Sequence, residues 1–533
     1  MTQRRTTLQR RELLRRVALG LATAAIARPG WPRAAGAPVV RTSGGRIRGQ
    51  RAGGVEVFRG VRYGADTGSA RFEPPRPATP WSGIHDARDY GPNCPQRGSL
   101  GPGSEDCLFL NVWTPSSRDD ARRPVMVYVH GGAYSTGAAS DPLCDGARLC
   151  EHGNVVVVSL NHRLNAFGYL YLARLSNDAR YADSGNCGML DLALALHWIH
   201  DNAAAFGGDP ARIMLFGQSG GGAKIATLMA MPAAAGLFHR VATMSGQQLT
   251  ASGPLNATRR ARTLLAALAV PESRCAELAT LPAARIVEAL DAIDPLIGRG
   301  ALYFGPVLDE RSLVRHPFHP DAPAQSATIP MIIGNTRDET RSLIGRADPA
   351  TFALRWDDLP ARLEAEMRVD ILPERVVSEY RRLHPDYSPS DVFFAATTAS
   401  RSWRAAIVEA ELRAAQGSPT WAYQLDLPSP ADGGRWGAFH TLDIPLVFGT
   451  LDAPGSLTGT AASARRVSRQ LGDAFIALAG HGDPNHGGLP RWEPYAPPRR
   501  ATMLFDAQSR LVDDPRGAER RLFERVPFIQ QGS

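Results

Sequence analysis

The sequence predicts an α/β protein: a central, mostly parallel, twisted sheet flanked by helices, within one large domain carrying helical insertions. Three observations carry that prediction. The runs "RPVMVYVHGG" and "NVVVVSL" (Asn154 to Leu160) are almost continuously apolar, as strands covered on both faces are. Between such runs lie stretches with helical spacing, among them "DLALALHWIHDNAAAF" (Asp191 to Phe206), which stops at Gly207-Gly208. In "RIMLFGQSGGGAKIATLMAM" a short strand passes into a helix at one serine, Ser219, crowded by Gly217, Gly220, Gly221 and Gly222.

Taken from the start, the 533 residues open with an address rather than an element of the fold. Residues 1–37 hold eight arginines against one acid, Glu12, a net +7 of the chain's +8. The remainder is near neutral, so the charge gives no footprint for nucleic acid. "QRRELLRR" followed by the apolar run Val17 to Ile26 and "AAGA" (Ala34 to Ala37) reads as a cleaved, twin-arginine-like export signal. That run is too short to span a bilayer, and no later one is long enough, so stable membrane insertion is not expected. The expected destination is the periplasm or the medium, where disulfides are permitted. Cys94 and Cys107 would close a short loop, and Cys144 and Cys150 form a weaker second pair. Cys187 and Cys275 read as buried thiols, and no cysteine spacing suggests a metal site.

Residues 38–533 then read as a single domain. Segments near 255–300 and 350–415 are rich in Ala, Leu, Arg and Glu with helical periodicity, and are expected to form a cap or side lobe over the sheet's C-terminal edge. "PLVFG" and "DAFIALAGHGDPN" return the chain to the main body. The composition, 44% hydrophobic and 21% charged, is that of a globular chain with ample length for a core.

The chemistry centres on Ser219. In G-x-S-x-G a serine is forced into a sharp strand-to-helix turn that lifts its hydroxyl above the sheet. Side chains at Gly217 and Gly221 would strike the neighbouring strand and helix, and the helix N-terminus behind the serine favours developing negative charge. "VHGGAY" (Val129 to Tyr134) follows a buried strand, where a loop of N–H donors belongs. Gly132, Ala133 and Gly220 are the candidate donors to an oxyanion. A base and an orienting acid must follow the serine in the chain. His316, His319, His384, His440, His481 and His486 lie downstream; His440 sits between a glycine-containing loop and an apolar helical run. Asp309, Asp338 and Glu339 are candidate acids, the last two directly after a short strand and hard to separate on physical grounds.

A resemblance separates them. "FRGVRYG", "RFEPP", "SEDCLFLNVWTP", "NHRLNAFGYL", "GNCGMLDLALALHWIHDNAAAFGGDP", "GPVLDERSL", "GNTRDET" and "GDPN" occur in the order found in the type-B carboxylesterase family, which includes the cholinesterases, on the α/β-hydrolase fold. The resemblance covers nearly all of the chain beyond its first segment. It implies Ser219 as nucleophile, Glu339 as acid and His440 as base, with Gly132, Ala133 and Gly220 as oxyanion hole. It also implies a Cys94–Cys107 disulfide and a supporting hydrogen-bonding role for Ser245. Four positions depart from the family pattern: Gln218 for a usual glutamate, Gly220 for alanine, Asp443 for glutamate and Leu192 for glutamine. Gln218 removes a negative charge beside the site and weakens any preference for cationic esters.

The implied activity is hydrolysis of small-molecule carboxylic esters through an acyl-enzyme, with no metal or organic cofactor. Another acyl hydrolase on the same triad (amidase, carbamate or polyester hydrolase) and a non-catalytic binding protein are the alternatives. Tyr134, Gln218 and Phe439 are expected to line the substrate site, whereas Trp403 and Phe304 read as core at least as readily as contacts. Oligomeric state is not legible.

Overall fold

The computed structural model describes residues 36–98, 103–530 and 532. The expected export segment, residues 1–37, lies outside the described residues apart from its last two positions. Pro38–Ser533 forms one compact unit.

Among the described residues its main sheet has eleven strands: β1 (Gln50–Ala52), β2 (Val55–Arg62), β3 (Phe109–Thr114), β4 (Arg123–Val129), β5 (Val156–Leu160), β6 (Gly208–Gln218), β7 (Arg240–Met244), β8 (Met331–Thr336), β9 (Thr420–Leu425), β10 (Ala501–Phe505) and β11 (Arg510–Asp513). They lie in the order β11-β10-β9-β8-β7-β6-β4-β5-β3-β2-β1. The seven strands from β10 to β5 are parallel, and antiparallel strands close both ends. A separate three-stranded sheet is formed by Val39–Arg41, Arg46–Arg48 and Ile84–Asp86.

The unbroken apolar runs are explained by the two cores. Side chains alternate along a strand, so Val125, Val127 and Val129 of β4 enter one layer with Leu192, Leu196 and Ile199 of the helix Cys187–Asn202. Met126 and Tyr128 enter the opposite layer with Leu471, Phe475 and Leu478 of the helix Ala462–His481. A polar residue at any of these positions would be buried on one face or the other. The helix read from residue 191 to 206 is α-helical to Asn202, tightens into a 3-10 turn at Ala203–Phe206 and ends on Gly207 at φ 73°. The strand read as "RIMLFG" is longer, running back to Gly208 and pairing there with Arg123.

Strand order reverses between β4 and β6: the chain goes from β4 outward to β5 and then returns to β6 on β4's other side. Open α/β sheets bind ligands at such a reversal, beyond the carboxyl ends of the strands. Two of the candidate loops emerge there, Gly131–Ala133 after β4 and Ser219 after β6. The segments read as helical insertions contain the helices Pro254–Ala267 and Ala283–Ala289, and Leu359–Glu366, Pro373–Leu383, Pro389–Thr398 and Arg404–Gln416. Among the described residues no helix is long and apolar enough to cross a membrane.

All six cysteines are buried thiols in this structure. The expected Cys94–Cys107 bond is not formed. The Cys94 sulfur accepts the Leu164 N–H at 3.2 Å, and the adjacent Cys94 together with burial pushes the Cys107 thiol well up.

Candidate active site

The site is assembled on strained backbone. Ser219 has φ 55° and ψ −124°, outside the regions favoured by residues with a side chain. Its N–H donates to Met244 O at 2.7 Å, and its carbonyl accepts from Ala223 N at 3.1 Å, which ties the turn to β7 and to the following helix, Gly220–Leu228. The surrounding glycines are required by contact rather than by flexibility. A Cβ on Gly221 would overlap the Val129 carbonyl of β4, and one on Gly217 would come within 2.7 Å of the same oxygen. On Gly220 it would overlap the backbone of Ala133, and on Gly222 it would lie 2.6 Å from Gly246 O. These glycines let three loops close on one hydroxyl.

The loop after β4 is equally constrained, with Gly132 at φ 84° and Ala133 at φ 52°. Ser135 and Thr136 donate their N–H groups back to Gly132 O at 3.1 and 3.0 Å, closing a tight turn. Beneath it, Lys224 on the Gly220–Leu228 helix donates to His130 O at 3.1 Å, with its ammonium 5.6 Å from the Tyr134 ring centre. Lys224 is fully buried, and burial lowers it to about 7. His130 stacks on His162, ring centres 4.8 Å apart, and burial with the nearby Lys224 holds it down at about 3. Both imidazoles are therefore neutral at physiological pH.

Glu339 begins the short helix Glu339–Leu343 just beyond β8 and is fully buried. Its Oε1 accepts from Thr336 N at 3.0 Å and Asn335 Nδ2 at 3.2 Å, and its Oε2 bonds His440 Nδ1. Asp338, inseparable from it in sequence, faces elsewhere: it accepts the Ala438 N–H at 2.9 Å and pairs with Arg337 and Arg341. Asp309 caps its own turn, accepting from the N–H groups of Arg311, Ser312 and Leu313. Among the other candidate bases, His316 accepts the Ala251 N–H and His486 meets Gln470 O. Only His440 of the candidate bases borders the cavity that holds Ser219. Asp443, three residues on, accepts from Tyr423 OH at 2.8 Å; burial and the neighbouring Glu339 charge raise it to about 6.

Ser219, His440, Gly132, Ala133 and Gly220 all border one cavity of about 510 Å³. Four non-glycine residues at positive φ, Ala133, Ser219, Ser245 and Thr441, border that same cavity. Each costs of order 1–3 kcal/mol and persists only where the surroundings enforce it, which is how reactive sites are commonly built. Tyr134 and Gln218 border the cavity, and the Gln218 amide nitrogen lies 3.2 Å from His440 Nε2 and 3.4 Å from Nδ1. Phe439 does not. It packs in the core layer behind the histidine, with the Arg346 guanidinium 5.3 Å from its ring centre. Sequence adjacency misled here, because the residue beside an inward-facing histidine faces away from it. Ser245 reaches the cavity, but its hydroxyl makes no hydrogen bond; the N–H, donating to Gly334 O at 2.7 Å, is what ties it in. Trp403 and Phe304 are buried and do not border the cavity.

Sequence reasoning missed Arg368, Arg401, Phe528 and Gln530, which also form the cavity wall. No local pattern marks them, since arginine is almost the chain's only cation and the C-terminal segment has no motif. Among the described residues, no three His, Cys, Asp or Glu side chains converge as a metal site would require.

A serine on a strand-to-helix elbow, at the reversal of a parallel sheet, defines an α/β-hydrolase. The chain belongs to the carboxylesterase family, whose model matches residues 36–522, and it is a carboxylic ester hydrolase. It is 33% identical over 506 residues to a para-nitrobenzyl esterase of Bacillus subtilis, covering 91% of this chain and 98% of the relative. A phenmedipham hydrolase of Pseudarthrobacter oxydans is 32% identical over 508 residues, covering 90% and 96% of the two chains. Among solved structures, a carboxylesterase of Geobacillus stearothermophilus superposes with a TM-score of 0.82 at 35% identity, over 91% of this chain and 99% of that one.

Proposed function

We propose that the protein hydrolyses esters through an acyl-enzyme on Ser219, with His440 as base and Glu339 as its orienting acid. What supports this reading is one arrangement: a carboxylate-bonded imidazole and a strained serine bordering the same cavity as the Gly132–Ala133 turn. Glu339 on Nδ1 sets the tautomer in which His440 Nε2 takes the hydroxyl proton as Ser219 attacks the carbonyl, the serine displacing the Gln218 amide nitrogen that lies 3.2 Å from Nε2. The oxygen that becomes negative is met by the N–H groups of Gly132, Ala133 and Gly220, each worth about 3–4 kcal/mol in the transition state. His440 returns the proton to the departing alcohol, and water repeats the sequence to release the acid.

Ser219→Ala is expected to keep its circular dichroism and melting curve while losing about a millionfold in kcat on p-nitrophenyl butyrate. Activity near that of the parent would remove Ser219 from the mechanism. Comparing kcat/KM on matched butyryl ester and anilide places the enzyme among esterases or amidases; a strong ester preference is expected. Export under the twin-arginine-like segment belongs to the same proposal, and with it closure of the Cys94–Cys107 pair in an oxidising compartment. Mass analysis of protein recovered from the periplasm or medium would show the loss of the leader and of two thiol protons.

A further inference from the structure

A cation lies in the core without a counter-charge. Lys224 is wholly buried on the helix that begins at Gly220, directly behind Ser219 in the chain. Among the described residues no carboxylate pairs with it, and the hydrogen bond it makes, to His130 O, is 3.1 Å long. Burial lowers it to about 7, so below that pH the core holds an uncompensated positive charge. Such a charge is costly unless something completes it.

The groups that face it supply no anion. His130 and His162, stacked on each other beyond β4 and β5, are held neutral by burial and by Lys224 itself. Tyr134 presents its ring at 5.6 Å, and burial raises its phenol well above the usual range, so it too is neutral. The helix Cys187–Asn202, packed alongside, carries Asp191, but that carboxylate is bonded to Arg163, the shortest contact being 2.6 Å. His197 and His200 of the same helix are exposed. The strands behind the Lys224 helix, β4, β6 and β7, carry Arg123, Asp209, Arg212 and Arg240 toward their N-terminal ends, whereas Ser219 follows the C-terminal end of β6.

Lys224 meets both ends of the turn after β4, the His130 carbonyl at its start and the Tyr134 ring at its end. Gly132 and Ala133, whose N–H groups are the donors to the oxyanion, lie between those two contacts. A neutral ester offers the ammonium nothing. The tetrahedral intermediate places a full negative charge on the oxygen held by those donors. Away from water, attraction between unlike charges acts over several ångströms. It arises only as the negative charge forms, so it lowers the barrier rather than tightening substrate binding.

We propose that Lys224 is a positioning residue for the reaction: its ammonium props the Gly132–Ala133 turn through His130 O and is the buried counter-ion of the oxyanion. This assignment rests on the esterase reading given above, and the experiment separates the two.

Lys224 is the chain's only lysine, so Cε-labelled lysine gives one NMR signal that reports its protonation. In the free protein that signal should titrate at about 7. A trifluoromethyl ketone with a propyl arm forms a bond from its carbonyl carbon to Ser219 Oγ, the hydroxyl proton passes to His440, and the ketone oxygen becomes an oxyanion. The adduct should raise the Lys224 midpoint by about one pH unit or more, a tenfold gain in proton affinity. The matching methyl ketone, too weakly electrophilic to add, should leave it in place. In kinetics on p-nitrophenyl butyrate, Lys224→Met should lower kcat about tenfold at pH 6 with KM nearly unchanged. That deficit should shrink toward pH 9, where the wild-type ammonium has lost its proton, and Lys224→Arg, which keeps the charge, should lose less. A midpoint that the adduct leaves unmoved, or a ratio of wild-type to Lys224→Met kcat that is constant with pH, overturns the proposal. The NMR titration uses the wild-type protein and so decides the matter even if the variants fail to fold. An adduct with an unmoved midpoint refutes the role of Lys224 alone; no adduct and no ester turnover would refute the esterase reading and this proposal with it.

Discussion

At the scale of single residues, position within the cavity decides role more than chemical type does. Asp338 and Glu339 are adjacent acids, yet only Glu339 meets the imidazole, because the chain turns from β8 into a helix between them. Exchange to Glu339→Gln should lower kcat by about 10²–10⁴-fold with little change in KM, since an amide fixes the imidazole poorly. Asp338→Asn should leave kcat within about threefold and act on stability instead. If the two exchanges had equal effects on kcat, the assignment of acid would fail. The candidates were all visible in the sequence, but their separation there came from family resemblance; the orientation of the two carboxylates is a property of the folded turn.

Lys224 makes a second case at this scale. Burial holds it at about 7, whereas an unfolded lysine titrates near about 10.4. Below about pH 7 both states are protonated and the desolvation penalty falls wholly on the native state. Between about 7 and 10 the unfolded chain holds the proton that the native state has shed, so stability rises with pH across that window. Lys224→Met removes the penalty and also the bond to His130 O, worth about 1 kcal/mol. Its urea midpoint, relative to wild type, should therefore be most favourable at pH 6 and decline toward pH 10. A constant offset over that range would mean that Lys224 is not desolvated as described.

At the scale of elements, the strands and helices were legible where one physical signal dominated. The runs of β4 and β5 could be read because both faces of the sheet are covered. The helix ending at Gly207 could be read because periodicity and a stop signal agree. The π turn at Ala399–Trp403 could not, since it arises where two helical stretches meet rather than from any residue that breaks a helix. The C-terminal segment was equally silent. Phe528 pairs with Val369, and Gln530 Oε1 accepts the Leu249 N–H at 3.0 Å, so the segment runs along the cavity as one of its walls. Ending the chain after Val526 should widen that cavity. The expected result is a ratio of kcat/KM for a naphthyl ester over an ethyl ester that rises by about tenfold. An unchanged ratio would place the wall elsewhere.

At the scale of the molecule, the folded unit runs from Pro38. Its net charge is about +1 once the basic first segment is set aside, and its stability rests on the two core layers either side of the sheet. Protein beginning at Pro38 should melt within about 2 °C of the full chain and retain its kcat. A larger loss in the melting curve would mean that residues 1–37 contribute to the fold. The architecture was legible because apolar runs, glycine contacts and motif order all point to one topology. Substrate preference was not, because the cavity wall draws on Tyr134, Arg368, Arg401 and Phe528, residues far apart in the chain that only the folded molecule brings together.

The burial of Lys224 has a practical corollary. It is the chain's single lysine, so an amine-directed reagent meets only the terminal α-amino group while the protein stays folded. Coupling to an activated support would thus tether each molecule at one defined end, in a common orientation. Acylation of residue 224 would in turn time-stamp global opening, one mark for each molecule that has lost its core.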